Sequence, residues 1–567
     1  MQCSPIIINP KRFYFWLSIL FLILSAFFSF EAGKRPLASP DEGRYCEIPR
    51  EMLESGNYLT PRLNTVKYFE KPPLFYWMQA TSFQAFGYND FAARLANIFI
   101  ALVGCMITFV FGWHMVSPRV GILSCLILAT SLLYYGISRI VILDMTVSVF
   151  ITGAILTMAR GLLMPTGRLQ KTFVVASYVF CALGFLTKGV IGFSIPGSII
   201  LIWILVNRQW GWFRTALNPI GILIFLALVI PWHALVSLKN PEFAYFYFIH
   251  EHIIRLVTQS HQRYQPFWFF IPIFIGGLFP WIGFFVMSLK EYILCLRQKL
   301  NSPYKSLLNL LCLWIGFIIF LFSLSQSKLI PYILPAFPAA ALWLGHFINE
   351  HILSAPSDQS AKRLLDRSFQ LNILLSLGLI VVGLLLPFPS HMPSHIGTNG
   401  KIIITILIAG GAFIPWVLQK KKMPYVAILA LIIAAMATNL YLNHLSEHFQ
   451  RPSSRALALA IKDKISPEVP IICFEFYPQE LPFYLGRPVM ISGWLGELAF
   501  GASVEDKTDL IFDHTVAAKI WHISKQAIVF VRDDNFEAFR STIKSPFHIV
   551  GQHFNLFMIS KLPLDLE

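Results

Sequence analysis

Two short stretches near the start of this 567-residue chain are dense with charge, although charged residues are only 13% of the whole. They are Ser39-Pro40-Asp41-Glu42-Gly43-Arg44-Tyr45 and Lys67-Tyr68-Phe69-Glu70-Lys71-Pro72-Pro73-Leu74. Further along, ionisable groups stand at the ends of apolar runs: Asp144 after Ser138-Arg139, Lys188, His250-Glu251-His252 with Arg255, and Lys328 with Tyr332. Two carboxylates, Asp41 and Asp144, among cations and phenols suit chemistry on a phosphate-linked group. Lysine, arginine and tyrosine can neutralise charge that develops on a leaving phosphate. A carboxylate can orient an acceptor or take its proton.

Read singly, each residue has a plainer explanation. Asp41 can cap the helix that follows it. Asp144 can pair with Arg139. Lys188 and Lys328 can be interfacial lysines with their stems in the apolar layer. His252 can be an ordinary loop histidine, and the aromatic run Phe243–Phe248 a belt at the membrane surface. What favours a site is their shared placement on one side of the apolar spans, because ionisable groups beside or within such spans are costly and serve sites or pathways.

The spans themselves follow from composition. The chain is 56% hydrophobic with mean hydropathy +0.62, and runs long enough to cross a bilayer recur along most of it. We expect a polytopic α-helical membrane protein with about thirteen transmembrane helices. They lie near 13–30, 91–112, 119–137, 141–159, 172–187, 189–206, 219–236, 267–289, 308–324, 332–349, 370–387, 402–419 and 424–442. Lys11-Arg12 precede the first, and no small-residue cleavage site follows it. The turns expected on that side carry many Lys and Arg, ending in Lys420-Lys421-Lys422, against Glu291, Glu350, Asp358 and Asp366. This bias makes that side cytoplasmic and accounts for the net charge of +15. No nucleic-acid-binding signature accompanies the charge.

The expected domains are a transmembrane catalytic domain over 1–444 and a periplasmic α/β domain over 445–567. The first outer loop runs 31–90 and a second large one 237–266. In the first loop, Arg44–Glu54 should be helical and stop at Ser55-Gly56. A second helix should start after Pro72-Pro73 and lie on the interface through Leu74, Trp77 and Met78. After Tyr441 short β-like runs (471–476, 489–491, 527–531, 547–549, 556–559) alternate with helix-like stretches (454–464, 517–525, 536–544). Eight cysteines show neither CxxC nor metal spacing; only Cys46 and Cys473 fall outside the cytoplasm, where a bridge between them is conceivable. No nucleotide-sugar signature is visible and nucleotides are absent from the outer face, so a polyprenyl phosphate carrier is the natural donor.

Together, Asp41-Glu-Gly-Arg-Tyr, Tyr68-Phe69-Glu70-Lys71-Pro72-Pro73, Ser138-Arg139…Asp144, Thr187-Lys188-Gly189, Glu251-His252…Arg255, Phe279-Pro280-Trp281 and Ser327-Lys328…Pro331-Tyr332 resemble the GT-C polyprenyl-phosphate-sugar glycosyltransferases. Glu480-Leu481-Pro482-Phe483-Tyr484-Leu485-Gly486-Arg487-Pro488 resembles the outer domain of the aminoarabinose transferases that modify lipid A. The resemblance covers almost the whole chain. It implies a multi-pass enzyme of the bacterial inner membrane whose active site and C-terminus are periplasmic. Its donor would be undecaprenyl phosphate carrying 4-amino-4-deoxy-L-arabinose, its acceptor a phosphate of lipid A, and its mechanism inverting. The added cationic sugar would weaken capture of cationic peptides such as polymyxin.

Position by position, the resemblance implies catalytic roles for Asp41 and Asp144. Tyr68, Lys71 and Tyr332 would hold the carrier phosphate, supported by Arg44, Lys188 and Lys328. Glu70 and His252 would bind a structural zinc; no cofactor is required for the chemistry itself. Two other readings stay open. One is transfer to protein Ser/Thr or another glycolipid, with Asp41 as general base. The other, a membrane transporter, is disfavoured because the charges gather on one face and not through the midplane.

Overall fold

The computed structural model describes residues 9–254, 264–297, 305–354, 358–387, 394–448 and 453–564, without the side chains of 250–254, 294–297, 352 and 394–395. The chain folds as two compact units. One comprises Met1–Glu31, Asn97–Pro231 and Thr258–Leu445; the other comprises Ala32–Ala96, Trp232–Val257 and Ser446–Glu567. The second unit therefore gathers the first loop and the segment after Pro231 with the C-terminal segment.

In the first unit, apolar helices follow one another through short turns. Among the described residues ten helices are long and apolar enough to cross a membrane, or up to twelve if each bent pair counts as one span. The bent pairs are Pro118–Thr130 with Leu132–Ser138, at 65°, and Phe267–Gly277 with Ile282–Ile293, at 113°. The expected span at 189–206 is the shorter apolar helix Ile191–Asn207. Each expected span thus has a helix or a bent pair. The breaks fall at Ser131 and around Pro280, where a residue without an N–H cannot continue a helix. Close contact between helices uses small residues. A Cβ on Gly192 would come within 2.1 Å of the Gly184 backbone, and one on Gly345 within 2.2 Å of Ser124 Oγ.

In the second unit, the first loop forms the helix Asp41–Ser55, ended by Gly56 at φ +66°. A two-stranded hairpin follows, β1 (Arg62–Leu63) and β2 (Val66–Lys67), then the helix Leu74–Phe86 behind Pro72-Pro73. The buried face of that last helix is Phe75, Tyr76, Gln79, Ala80 and Phe83, while Leu74, Trp77 and Met78 are half-buried. Tyr45 takes Phe75 edge-on at 5.7 Å and lies 6.1 Å from Tyr76, so aromatic pairing with the neighbouring helix decides which face turns inward.

The aromatic run after Lys239 differs from the expected belt. Phe243, Phe246 and Tyr247 are buried in one cluster with Phe69 and Trp232, and Phe246 stacks on Phe500 at 3.8 Å. Only Tyr245 and Phe248 remain exposed. The C-terminal part is an α/β domain with a six-stranded sheet of order β5-β4-β3-β6-β8-β7. Its strands are β3 (Ile471–Phe474), β4 (Met490–Ser492), β5 (Ile511–Phe512), β6 (Ile528–Arg532), β7 (His548–His553) and β8 (Leu556–Ser560). β3 to β6 pair in parallel, while β8 runs antiparallel to β6 and to β7. The two-residue β5 was too short to read from sequence. Cys46 and Cys473 are both buried free thiols.

Candidate active site

In the second unit the motif helix begins at Asp41, behind Pro40 as its N-cap, and the Asp41 side chain is half exposed at 53%. Its partner is Arg44, one turn on, at 3.1 Å. Arg44 is nearly sealed, with 7% of its side chain exposed, and it is the hub of the group. Nη1 donates to the Tyr68 hydroxyl at 2.7 Å and stands 3.7 Å from Glu70. Nη2 reaches Asp41 and, at 3.4 Å, Glu497. The guanidinium also lies 5.8 and 5.7 Å from the ring centres of Tyr45 and Tyr68. Its Nε has no hydrogen-bond acceptor among the described residues.

Burial alone would lower the Arg44 pKa, but Tyr68, Tyr45, Glu70 and Asp41 outweigh it and hold the group above its ordinary value. Burial, and then the Glu70 carboxylate, push the Tyr68 phenol well above its usual range. Tyr68 therefore keeps its proton. Because its oxygen already accepts from Arg44, that proton is available to another acceptor. Phe69, 1% exposed and edge-on to Phe243 at 5.3 Å, anchors the stretch between Tyr68 and Glu70. Lys71 Nζ donates to the Glu70 carbonyl at 2.8 Å.

In the first unit a second group forms. Asp144 opens the helix Asp144–Leu163 and accepts from Lys188 Nζ at 2.6 Å, with 14% and 15% of the two side chains exposed. Lys188 Nζ also stands 5.0 Å from the centre of the Tyr332 ring. Charge-assisted bonds of this kind are short and strong, and an ammonium over a phenol face is attracted by the ring. Arg139, the alternative partner for Asp144, donates to the carbonyls of Phe28 and Phe30. Lys328 is buried, 7% exposed, and donates to the Ser325 carbonyl. The structure thus brings Asp144, Lys188 and Tyr332 together, and Asp41, Arg44, Tyr68, Glu70 and Lys71 together.

Glu70 and His252 are the expected zinc ligands. Glu70 has Arg44 as a close cationic neighbour, and the side chain of His252, like Arg255, lies outside the described residues. Among the described residues no group of three or more His, Cys, Asp or Glu side chains could hold a metal ion.

Several residues escaped the sequence reading. Glu42 is 1% exposed, bonded twice by Arg35 at 3.1 and 3.2 Å and approached by Arg94 at 3.3 Å. Arg94 also caps the carbonyls of Ala32, Arg35 and Pro36. An arginine in the first turn of an apolar span was the available signal. Glu497 is held by Gln479 at 3.1 Å and has no such signal. In the Glu480–Pro488 stretch, Tyr484 accepts from Leu37 N and donates to Asp90, both at 2.7 Å, while Glu480 accepts from Ser454. That stretch is scaffold.

Residues 13–247 match the dolichyl-phosphate-mannose-protein mannosyltransferase family, and residues 457–561 match the aminoarabinose transferase C-terminal domain. The undecaprenyl phosphate-α-4-amino-4-deoxy-L-arabinose arabinosyl transferase of Aeromonas salmonicida is 30% identical over 406 residues, 70% of each chain. That of Pectobacterium carotovorum is 30% identical over 417 residues, again 70% of each. The crystal structure of ArnT from Cupriavidus metallidurans bound to undecaprenyl phosphate superimposes with a TM-score of 0.83 at 27% identity, covering 96% of this chain and 98% of that one. This chain belongs to the family of undecaprenyl phosphate-α-4-amino-4-deoxy-L-arabinose arabinosyl transferases.

Proposed function

We propose that this multi-pass membrane protein is an inverting glycosyltransferase that moves 4-amino-4-deoxy-L-arabinose from undecaprenyl phosphate to a phosphate of lipid A. The reaction takes place at the periplasmic face of the bacterial inner membrane. An oxygen of the acceptor phosphate attacks the anomeric carbon. The bond from that carbon to the carrier phosphate oxygen breaks, and the electron pair leaves with undecaprenyl phosphate. The acceptor is already an anion, so no strong base is needed. The demand falls on groups that meet negative charge as it builds on the leaving phosphate.

The observation that carries this reading is the Arg44 hub. A sealed guanidinium whose Nε has no acceptor among the described residues sits beside a phenol that keeps its proton, next to a half-exposed carboxylate. Arg44 and Tyr68, with Lys71, are donors for a phosphate; Asp41 orients the acceptor or holds the sugar's ammonium. In the other group Lys188 and Tyr332, with Lys328 as support, offer the same phosphate chemistry, and Asp144 fixes the position of the Lys188 ammonium.

A second reading has its own support, since residues 13–247 match a family described by transfer to protein. A serine or threonine hydroxyl is a poorer nucleophile, and Asp41 would then act as general base. Mass spectrometry of lipid A from cells with and without the gene separates the two. We expect an aminoarabinose-modified lipid A that depends on the gene, and loss of about 100-fold or more of transfer in folded Asp41→Asn protein. An unchanged lipid A profile beside a glycosylated protein would favour the second reading.

A further inference from the structure

We propose that the first unit carries a binding site for the headgroup of an anionic glycerophospholipid, in the leaflet opposite the Asp144–Lys188–Tyr332 group. The span Ile330–His351 starts beside Tyr332 and ends at the other side of the membrane, a few residues before the helix Gln359–Leu385 begins. At that end lies a cavity of about 290 Å³, between the start of this helix and the turn joining Ser394–Lys420 to Pro424–Ser446. Lys362, Arg363, Lys420 and Lys422 line it, with Asp366 as the one carboxylate among the described residues of its wall.

The walls are built, not merely charged. Asp366 accepts from Lys420 at 2.8 Å and from the Trp416 indole at 3.0 Å, and Lys420 Nζ lies 5.6 Å from the Trp416 ring centre. Asp366 is thereby consumed by Lys420. Lys362, Arg363 and Lys422 have no acidic partner among the described residues. The first turn of the Gln359 helix is closed by its own cap, Asp358, which accepts from Ser360 N at 3.3 Å, so the four cations carry the charge of this cradle. Lys422 adopts φ +62°, a conformation costly for a residue with a side chain.

A phosphodiester satisfies this cradle. Its acyl chains would continue along exposed apolar surface just inside the membrane, at Ile414, Val417, Val426 and Leu429. That surface argues for a lipid over a free phosphate. Basic pockets between spans at a membrane face suit phospholipid headgroups in general.

The test uses purified full-length protein in detergent, read by native mass spectrometry with equal amounts of phosphatidylglycerol and phosphatidylcholine. Wild type should retain phosphatidylglycerol about 10-fold or more in preference. Lys362→Gln/Arg363→Gln/Lys422→Gln should retain the two equally; should it not fold, Arg363→Gln and Lys422→Gln singly should each reduce the preference. Arg168→Gln/Lys171→Gln, which removes cations from the opposite end of the helix that closes on Lys188, should leave the preference intact. The proposal is overturned if the pocket variants keep it or if the Arg168/Lys171 variant loses as much. It is overturned equally if millimolar inorganic phosphate displaces the lipid completely, since the site would then take a free anion. None of these outcomes depends on the sugar or its acceptor.

Discussion

Asp41 keeps 53% of its side chain exposed, while Glu42 beside it is closed to 1% between Arg35 and Arg94. In the sequence the two carboxylates are equivalent; only distant partners separate them. Asp144 is a similar case, because its choice of Lys188 over the nearer Arg139 depends on two helices meeting. Arg44 carries the residue-scale prediction. Its fork reaches Tyr68, Asp41 and Glu497 at once, a geometry lysine cannot reproduce. Misplacing a positioning donor can slow a reaction by up to about 100-fold, so Arg44→Lys should transfer about 10- to 100-fold more slowly per folded molecule. Glu42→Gln should behave oppositely. It takes one carboxylate away from buried Arg94 and half-buried Arg35, which costs up to about 3–5 kcal/mol, and each folded molecule should still transfer. Thermal unfolding beside a lipid A transfer assay distinguishes these, and a wild-type rate for Arg44→Lys would remove Arg44 from the site.

At the scale of elements, the motif helix and the short helix Leu481–Leu485 explain the glycine between Glu42 and Arg44. A Cβ on Gly43 would lie 2.3 Å from Glu480 N and 2.6 Å from the Gln479 carbonyl carbon. Gly501 is in the same position, 2.2 Å from the Lys67 carbonyl oxygen. Backbone atoms cannot swing aside as a side-chain tip can. Gly43→Ala should therefore destabilise by about 1–3 kcal/mol and displace Asp41, whereas Gly136→Ala, with nothing within 4 Å, should not. Unfolding midpoints of the detergent-solubilised variants check both. These contacts mark where sequence reading stopped. Helices, strands and their punctuation were legible because periodicity, Pro and Gly are local signals. Asp41, Arg44 and Tyr68 were legible as charge in an apolar chain. Glu497, some 450 residues from Arg44, was not, and neither was the burial of Phe243, Phe246 and Tyr247, since an aromatic run reads the same in a belt or a core.

For the whole molecule the decisive quantity is which side each turn occupies. A helix that crosses the membrane reverses the side of the next turn, so one assignment fixes them all. Lys11-Arg12 and the Lys420–Lys422 turn belong to one side if the intervening helices and bent pairs each cross once. The bent pair Phe267–Gly277 with Ile282–Ile293, at 113°, is the weak link, because a re-entrant excursion there would reverse every later turn. The cations oppose that reversal: moving Lys362, Arg363, Lys420, Lys421 and Lys422 outward would invert the bias that orients membrane proteins. Alkaline phosphatase, active only outside the cytoplasm, should therefore be inactive when fused after Lys422 and active when fused after Glu567. A fusion after Asn240, upstream of the bent pair, should also be active. An active fusion after Lys422 together with an active one after Asn240 would mean that the bent pair does not cross. Tyr332 would then stand on the cytoplasmic side, and the proposed periplasmic transfer could not use it.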